Sequence, residues 1–360
     1  MKFNIELAEL NRVLSRVIGV VEKRTTIPIL SNIKIESGPN GVLFTATDLD
    51  ITFSDVGAAD IVAGGVTTIP ATVYDFAKKM EKGTVSFEIS DGKATIRCGR
   101  SKFSVPVIEA ADFPLTTKID GAPTFKITGS ELADMLVSTV FCASDDKARY
   151  YLNGVYLHGG ENLTAVATDG HKLARAVIDG LSVNFPGVII PRKTVTEIIK
   201  MCDGAANVDV WISDTKICIA SGNAMIVSKL IDGTFPDYGR IIPSSKNATV
   251  TVDGKAFAQA VDRVSMVYSE KTKGVKVAFG RSEAIITAGG GDNGSAEEAV
   301  DLDLDGETMD VGFNSRYICD VAAKCGGGKL SIDLVDAGSP AVFRPSDDGG
   351  KLYLVMPMRC

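Results

Sequence analysis

The chain has 360 residues, with 38 Lys and Arg against 45 Asp and Glu, and a formal net charge of −7. Its length exceeds one ordinary domain core, and its 45% hydrophobic and 23% charged residues are typical of a folded protein of two or three domains. The acidic balance argues against a protein that binds nucleic acid mainly by neutralising phosphates, because such proteins carry an excess of Lys and Arg.

The N-terminus and the cysteines indicate a cytoplasmic protein. Met1–Glu9 carries acids where a signal peptide needs an apolar core, and no apolar run approaches the ~18 residues of a membrane span. The seven cysteines are irregularly spaced and include no C-x-x-C pair. We therefore expect free thiols in a reducing compartment, with neither a disulfide framework nor a zinc site.

The predicted helices follow the same order three times along the chain. Each copy begins with a short strand and an amphipathic helix, and a second helix follows later. The apolar positions of the first helices are Leu7, Leu10, Leu14, Val17 and Ile18, then Leu132, Met135, Leu136 and Val140, then Phe257, Val261, Val264 and Val267. Those of the second helices are Tyr74 and Ala77, then Val195 and Ile198, then Ile318 and Val321.

Between the helices, apolar and polar residues alternate, as in residues 85–89, 208–212 and 330–334. Such alternation is typical of half-buried antiparallel strands. Strands outnumber helices and come in runs, which favours an α+β fold over α/β. We therefore predict two helices packed on antiparallel sheets in each copy.

Sequence markers recur at nearly one offset. The pairs, each 121 or 122 residues apart, are Ile69-Pro70 and Ile190-Pro191, Leu30–Ile33 and Leu152–Val155, and Asp112–Pro114 and Thr234–Pro236. Polar stretches with Gly or Pro at 116–123 and 243–249 separate the copies. We predict three domains of about 120 residues, at 1–120, 121–245 and 246–360.

The segment Val166–Arg175 places Asp169 two residues before His171, as an acid and a base in a catalytic site could lie. A hydrolase would also need a nucleophile, and no G-x-S-x-G elbow presents one. The same Thr-Asp pair occurs at Thr47-Asp48, where no histidine follows. We interpret the segment as a strand-ending turn whose Asp or Thr caps backbone N–H groups. A cytoplasmic hydrolase using His171 and Asp169 remains the alternative.

Two further stretches do not complete the motifs that they resemble. Asp301–Gly306 begins like an EF-hand loop, but Gly312 stands where that loop needs Glu. Gly326–Lys329 lacks the upstream glycine and the following Ser or Thr of a P-loop. We expect no catalytic residue, no metal site and no cofactor.

The second helices carry a small positive charge. Residues 71–82, 192–203 and 315–325 each sum to +1, while the whole chain sums to −7. This distribution favours one basic surface on an acidic body, although ordinary solvated helix faces would give the same sums. The tail from Leu352 is apolar to its end, and predicts a last core strand to Met356 followed by an apolar partner-binding patch.

Five motifs together resemble the bacterial DNA polymerase III beta subunit, or sliding-clamp, family over the whole chain. They are Thr26–Leu30, Arg149–Gly154, Ala167–Lys172, Phe235–Tyr238 and Val355–Arg359. The resemblance implies a head-to-tail homodimer that closes into a ring of six similar domains around double-stranded DNA, with twelve helices lining the hole. A closed ring holds DNA by topology, which reconciles DNA binding with the negative net charge.

The resemblance also implies three sets of contact residues. The DNA-binding residues would be Arg24, Arg149, Tyr150, Tyr151 and Arg192. A cleft between the second and third domains would bind an extended apolar peptide through Leu152, Thr168, Gly170, His171, Lys172, Leu173, Pro236, Arg240, Ile241, Pro340, Leu354, Val355, Met356, Pro357, Met358 and Arg359. At the ring seam, Arg100, Lys102 and Phe103 would face Met266, Glu297 and Glu298 of the second copy.

Two residues depart from the family pattern: Lys172 stands where Arg is frequent, and Cys360 stands where Leu usually ends the chain. We predict a non-catalytic processivity factor that tethers the catalytic subunit of DNA polymerase III to DNA. Its further expected partners are a clamp loader and other polymerases and repair proteins with clamp-binding peptides. A third interpretation is a peptide-binding repeat protein that does not bind DNA.

Overall fold

The computed structural model describes residues 1–22, 24–267, 274–291, 294–347 and 349–359. Cys360, and the predicted effect of its replacing Leu, lie outside the described residues. Within them, six α-helices and three antiparallel sheets confirm the predicted α+β fold.

The helices occur as pairs, one pair in each sequence copy. They are α1 (Leu7–Val17), α2 (Val73–Ala77), α3 (Gly129–Thr139), α4 (Arg192–Cys202), α5 (Gly254–Ser265) and α6 (Ser315–Lys324). The helices α2, α4 and α6 follow the two Ile-Pro markers and Phe313-Asn314. Short 3₁₀ helices at Pro28–Ser31 and Lys147–Leu152 cover the corresponding Leu30 and Leu152.

The strands fill the segments between the helices. They are β1 (Lys2–Glu6), β2 (Asn32–Gly38), β3 (Gly41–Thr47), β4 (Ile51–Gly57), β5 (Ala59–Ala63), β6 (Val66–Pro70), β7 (Thr84–Ser90), β8 (Lys93–Cys98), β9 (Ser101–Pro106), β10 (Phe125–Thr128), β11 (Gly154–His158), β12 (Leu163–Thr168), β13 (Lys172–Ile178), β14 (Val188–Pro191), β15 (Asn207–Ile212), β16 (Lys216–Ser221), β17 (Ala224–Lys229), β18 (Ala248–Asp253), β19 (Gly274–Phe279), β20 (Glu283–Gly291), β21 (Gly294–Gly306), β22 (Met309–Asn314), β23 (Lys329–Leu334), β24 (Ala341–Pro345) and β25 (Lys351–Val355).

Three sheets result, with the orders β5-β1-β7-β8-β9, β10-β15-β16-β17-β4-β3-β2-β6, and β14-β11-β12-β13-β25-β24-β23-β18-β21-β20-β19-β22. The last strand of one sequence copy pairs with a middle strand of the preceding copy: β17 pairs with β4, and β25 pairs with β13. Two compact units follow, Met1–Ala133 with Lys193–Leu230, and Asp134–Arg192 with Ile231–Cys360. Each unit therefore combines parts of two copies, and the domain boundaries at 120 and 245 stay a prediction.

The amphipathic helices bury the predicted faces, with four corrections. Ile18, Val140 and Val267 are only half-buried, because each lies just beyond the last residue of its helix. Tyr74 is also half-buried, and its neighbour Val73 takes the fully buried position of the short α2. Asp301–Gly306 lies within β21, as its alternating acids indicate.

Candidate peptide-binding cleft

The Val166–Arg175 segment forms a tight turn between β12 and β13. The hydroxyl of Thr168 donates to the carbonyl of Lys172 at 2.8 Å and accepts from the backbone N–H of Gly170 at 3.1 Å. The Asp169 Oδ1 atom accepts from the backbone N–H groups of His171 at 2.8 Å and Lys172 at 2.9 Å. Both side chains thus satisfy local backbone groups, as the sequence interpretation expects.

This turn has no geometry for nucleophilic catalysis. The Asp169 carboxylate accepts from backbone N–H groups, and the His171 ring stacks on Tyr317 with centroids 6.3 Å apart. The thiol of Cys142 interacts electrostatically with Asp169, but it is fully buried and burial raises its pKa well above the usual value. A protonated, inaccessible thiol is a poor nucleophile.

Strand β25 brings the apolar tail to this turn. Lys172 pairs with Val355, and Leu173 pairs with Leu354. Beyond the strand, the Met356 N–H donates to the His171 carbonyl at 2.9 Å, and the Met358 N–H donates to the Gly312 carbonyl at 2.9 Å. The first bond fixes the tail beside the turn, although 185 positions separate Met356 from His171 in the sequence.

One apolar cluster joins the predicted cleft residues. Leu152, Leu173 and Leu354 are buried in it together with Phe235, while Met356 is half-buried against it. Because the leucines are already buried, they would form the floor of the predicted cleft, and exposed side chains would form its rim. Lys172 is also nearly buried, and Val355 is fully buried.

The rim residues differ in exposure. Met358 is 38% exposed and Ile241 is 40% exposed, so both offer apolar surface to a partner. Pro236, Arg240 and Arg359 are exposed, Pro340 and Pro357 are half-buried, and Thr168 is buried under its turn. The Arg240 guanidinium pairs with the Asp237 carboxylate at 2.8 Å. The residues predicted for the cleft thus comprise buried leucines and partly exposed apolar and basic side chains.

Lys172 has partners that the sequence did not indicate. Its Nζ atom forms an ion pair with the Asp320 carboxylate at 2.8 Å and lies 5.2 and 5.1 Å from the ring centroids of Phe141 and Tyr317. An ion pair and two cation–π contacts hold a nearly buried ammonium in place. No motif marks Phe141, Tyr317 or Asp320, because only the packing of α6 and the end of α3 against β13 brings them together.

The predicted DNA-binding residues lie in both units. Arg24 is exposed in the first unit, and Tyr150 is 53% exposed in the second. Arg149 pairs with Asp146 at 2.9 Å, and Arg192 pairs with Asp145 at 2.6 Å. Tyr151 is half-buried and packs edge-on against Tyr150. These carboxylates weaken the attraction of the two arginines for phosphate.

The predicted seam residues lie on two different surfaces. Arg100 and Lys102 are exposed at β9, and Phe103 stacks on Phe76 with centroids 4.6 Å apart. In the second unit Met266 is 74% exposed, Glu297 is exposed, and Glu298 pairs with Arg263 of its own chain. Glu298 would therefore have to share its carboxylate with any cation of a second copy.

Models of the DNA polymerase III beta subunit match the chain in three stretches. The N-terminal domain matches residues 1–117, the central domain 126–237 and the C-terminal domain 239–359. The beta sliding clamp of Caulobacter vibrioides is 40% identical to the chain over 100% of both proteins. The chain belongs to the DNA polymerase III beta subunit family. The resemblance noted from the five motifs is thereby confirmed.

Solved structures of sliding clamps have the same fold. The DNA polymerase sliding clamp of Caulobacter crescentus is 39% identical, with a TM-score of 0.92 and 100% of each chain covered. The sliding clamp of Bartonella birtlesii, bound to griselimycin, is 34% identical, with a TM-score of 0.95 and the same coverage. This sliding clamp is a non-catalytic processivity factor, and neither the hydrolase nor the DNA-independent interpretation is supported.

Two other features bear on the interpretation. Across the described ranges, no group of three His, Cys, Asp or Glu side chains is placed to hold a metal ion. Among the helices that the structure describes, none is long and apolar enough to span a bilayer.

Proposed function

We propose that two copies of this clamp close head-to-tail into a ring that encircles double-stranded DNA and slides along it. The ring tethers the catalytic subunit of DNA polymerase III through the cleft formed by the turn after β12 and the tail after β25. The clamp loader, other polymerases and repair proteins use the same cleft, and the ring works in the cytoplasm.

Two open sheet edges support the head-to-tail arrangement. Strand β9 forms one edge of the five-stranded sheet. In the second unit, residues 295–301 of β21 pair with β20, whereas the pairing of β21 with β18 covers only residues 302–306. Unpaired edges are templates for strand addition, and two different edges on one chain suit a heterologous interface.

The charges at the two edges are complementary. Arg100 and Lys102 lie at β9, while Glu297 and Glu298 lie on the open half of β21. Opposite charges favour contact between unlike edges and disfavour contact between like edges. The exposed Met266 and the half-buried Phe103 add apolar area to this interface.

The DNA contacts suit a sliding ring. Arg149 and Arg192 are each paired with a neighbouring carboxylate, so their attraction for phosphate is weakened. Strong phosphate neutralisation would retard sliding, whereas a closed ring needs only a weakly attractive inner wall. The observation that carries the peptide-binding proposal is the junction of Leu173 with Leu354 and Met356 in one apolar cluster.

The ring can be tested on circular DNA. The protein is loaded onto a nicked circle with a clamp loader, washed in high salt, and half of the sample is linearised. We expect retention on circles and loss from linear DNA, because a ring leaves through free ends. Equal retention on both forms would contradict topological binding, since phosphate contacts do not depend on ends.

The seam can be tested by charge reversal. Light scattering should show a dimer for the native chain and a larger monomer fraction for either Lys102→Glu or Glu297→Lys. When the two variants are mixed, they should form heterodimers. One seam of such a heterodimer has both charges reversed, and the other has the native charges. A native chain that is monomeric at micromolar concentration would contradict the ring.

A further inference from the structure

A second recess continues the candidate cleft past Pro236. This groove, of about 910 Å³, lies between β11, β13 and the segment 234–244. A smaller recess of about 330 Å³ shares Arg175 and Tyr238 with it. Pro236 belongs to both the groove and the predicted peptide cleft, so a peptide in the cleft can continue into the groove.

Arg175 is the unusual residue of this groove. It lies two positions after Leu173 on β13, and therefore on the same face of the sheet. Its strand neighbours are Val166 and Leu352, and both belong to the buried apolar cluster. Arg175 is half-buried, and a buried guanidinium N–H among apolar side chains is costly unless an acceptor compensates it.

Within the described residues, no acceptor compensates Arg175. Its Nε atom is buried without a hydrogen-bond partner, and no carboxylate forms an ion pair with it. Two acids do line the recesses. Asp237 is engaged by Arg240 at 2.8 Å, and Asp179 is exposed at the edge of the smaller recess.

Two further polar side chains line the groove with Arg175. The Tyr238 hydroxyl and the His158 Nε2 atom are 2.8 Å apart and share a hydrogen bond. Burial raises the pKa of Tyr238, although the nearby Arg175 opposes that shift, so the phenol keeps its proton at neutral pH. Tyr156 stacks on Phe235 at 4.8 Å and forms an apolar wall of the groove.

We propose that this groove binds an acidic side chain of the partner peptide, next to the apolar residues that occupy the cleft. The carboxylate pairs with Arg175 and so supplies the acceptor that the described residues do not give its Nε atom. Charge-assisted bonds of this kind are stronger than neutral ones and are directional, so the groove selects partners by their flanking acids. This inference rests on the proposed peptide-binding function.

Fluorescence anisotropy with three labelled peptides tests the inference. One peptide is a short apolar Leu–Phe segment, and the other two carry an added Asp pair at the N-terminal or C-terminal end. We expect one extended peptide to bind about tenfold more tightly than the apolar segment, in line with a charged hydrogen bond. Raising the salt from about 0.05 M to about 0.5 M should reduce that gain.

The variants separate the groove from the cleft. Arg175→Gln should abolish the gain in affinity from the Asp pair and leave the affinity for the apolar segment unchanged. The unchanged affinity would also verify that this variant folds. Arg281→Gln, the same change on an exposed turn, should preserve the gain. Equal affinities for all three peptides, or a gain that survives Arg175→Gln, would overturn this inference without contradicting the proposed cleft. Failure of the native clamp to bind any peptide would overturn the proposed cleft as well.

Discussion

The two Thr-Asp turns of this clamp have the same backbone and different surroundings. Thr47 donates to the Ile51 carbonyl as Thr168 does to Lys172, and Asp48 accepts two backbone N–H groups as Asp169 does. A backbone bond from the neighbouring strand also recurs. The Lys229 N–H donates to the Asp50 carbonyl at 2.8 Å, as the Met356 N–H donates to the His171 carbonyl. This arrangement of backbone hydrogen bonds is therefore a property of the repeat and does not by itself form a binding site.

The two turns differ in the side chains that surround them. In the first turn Asp50 and Lys229 form an ion pair at 3.0 Å, while His171 and Met356 occupy the corresponding positions in the second turn. Thr52, which bonds the Thr116 hydroxyl at 3.0 Å, corresponds to Leu173. The first junction is thus polar and internally paired, whereas the second is apolar and lies at the predicted cleft.

The largest expected effect comes from making the second junction resemble the first. Met356→Lys puts a charge against the apolar cluster that an apolar peptide must cover, and desolvating it is costly. We expect the affinity for the Leu–Phe peptide to fall about 100-fold or more in anisotropy measurements. The matched change Lys229→Met in the first junction should leave that affinity unchanged. A Met356→Lys clamp that binds within threefold of the native clamp would contradict the cleft assignment.

The two aspartates should differ in their contribution to stability. Asp48→Ala removes the acceptor of two backbone N–H groups and an ion pair with Lys193 at 2.5 Å, at a carboxylate that is 9% exposed. Asp169→Ala removes the acceptor of two backbone N–H groups. We expect losses of about 3 kcal/mol and about 1–2 kcal/mol, respectively, in urea unfolding. Equal losses would show that the Lys193 pair contributes nothing.

The third position of each turn has a left-handed backbone, with φ +81° at Leu49 and +89° at Gly170. Gly170→Ala should cost about 1–2 kcal/mol, because its Cβ would also lie 2.9 Å from an Arg149 nitrogen. Leu49→Gly should relieve strain and stabilise by up to about 1 kcal/mol. Thermal unfolding measures both, and destabilisation by Leu49→Gly would show that the leucine side chain outweighs the strain.

The smallest effect concerns the ion pair that closes the first junction. Asp50 and Lys229 are 71% and 54% exposed, so their pair should contribute only about 0.2–1 kcal/mol. A double-mutant cycle with Asp50→Asn and Lys229→Gln measures that coupling. A value above about 2 kcal/mol would mean that the pair holds β17 against β4.

Sequence reasoning located much of this architecture. The recurrence of Ile-Pro and Thr-Asp markers identified the repeat, and apolar periodicity located five of the six helices by their buried faces. It was less accurate at helix ends, as Ile18 and Val140 show, because periodicity continues past the point where the last helical hydrogen bond forms. The Thr-Asp turn was interpreted correctly because its hydrogen bonds are local.

Less of the candidate site could be predicted from the sequence. The apolar tail was predicted from its composition, but the roles of Leu152 and Leu173 came from resemblance, since no spacing rule links them to a tail about 180 positions or more away. The aromatic contacts of Lys172 with Phe141 and Tyr317 gave no sequence signal at all. Neither did the buried Nε atom of Arg175, whose lack of an acceptor among the described residues is visible only when the surrounding side chains are placed.

By itself, the sequence determined the repeated unit, the α+β class and the Thr-Asp turns, because these depend on periodicity and on bonds between near neighbours. Only the tertiary structure decided which turn borders a cleft. The pairing of β25 with β13 brings Met356 to His171, whereas the pairing of β17 with β4 brings Lys229 to Asp50. The same backbone frame thus yields an apolar surface in one place and a closed ion pair in the other, because strand pairing selects its neighbours.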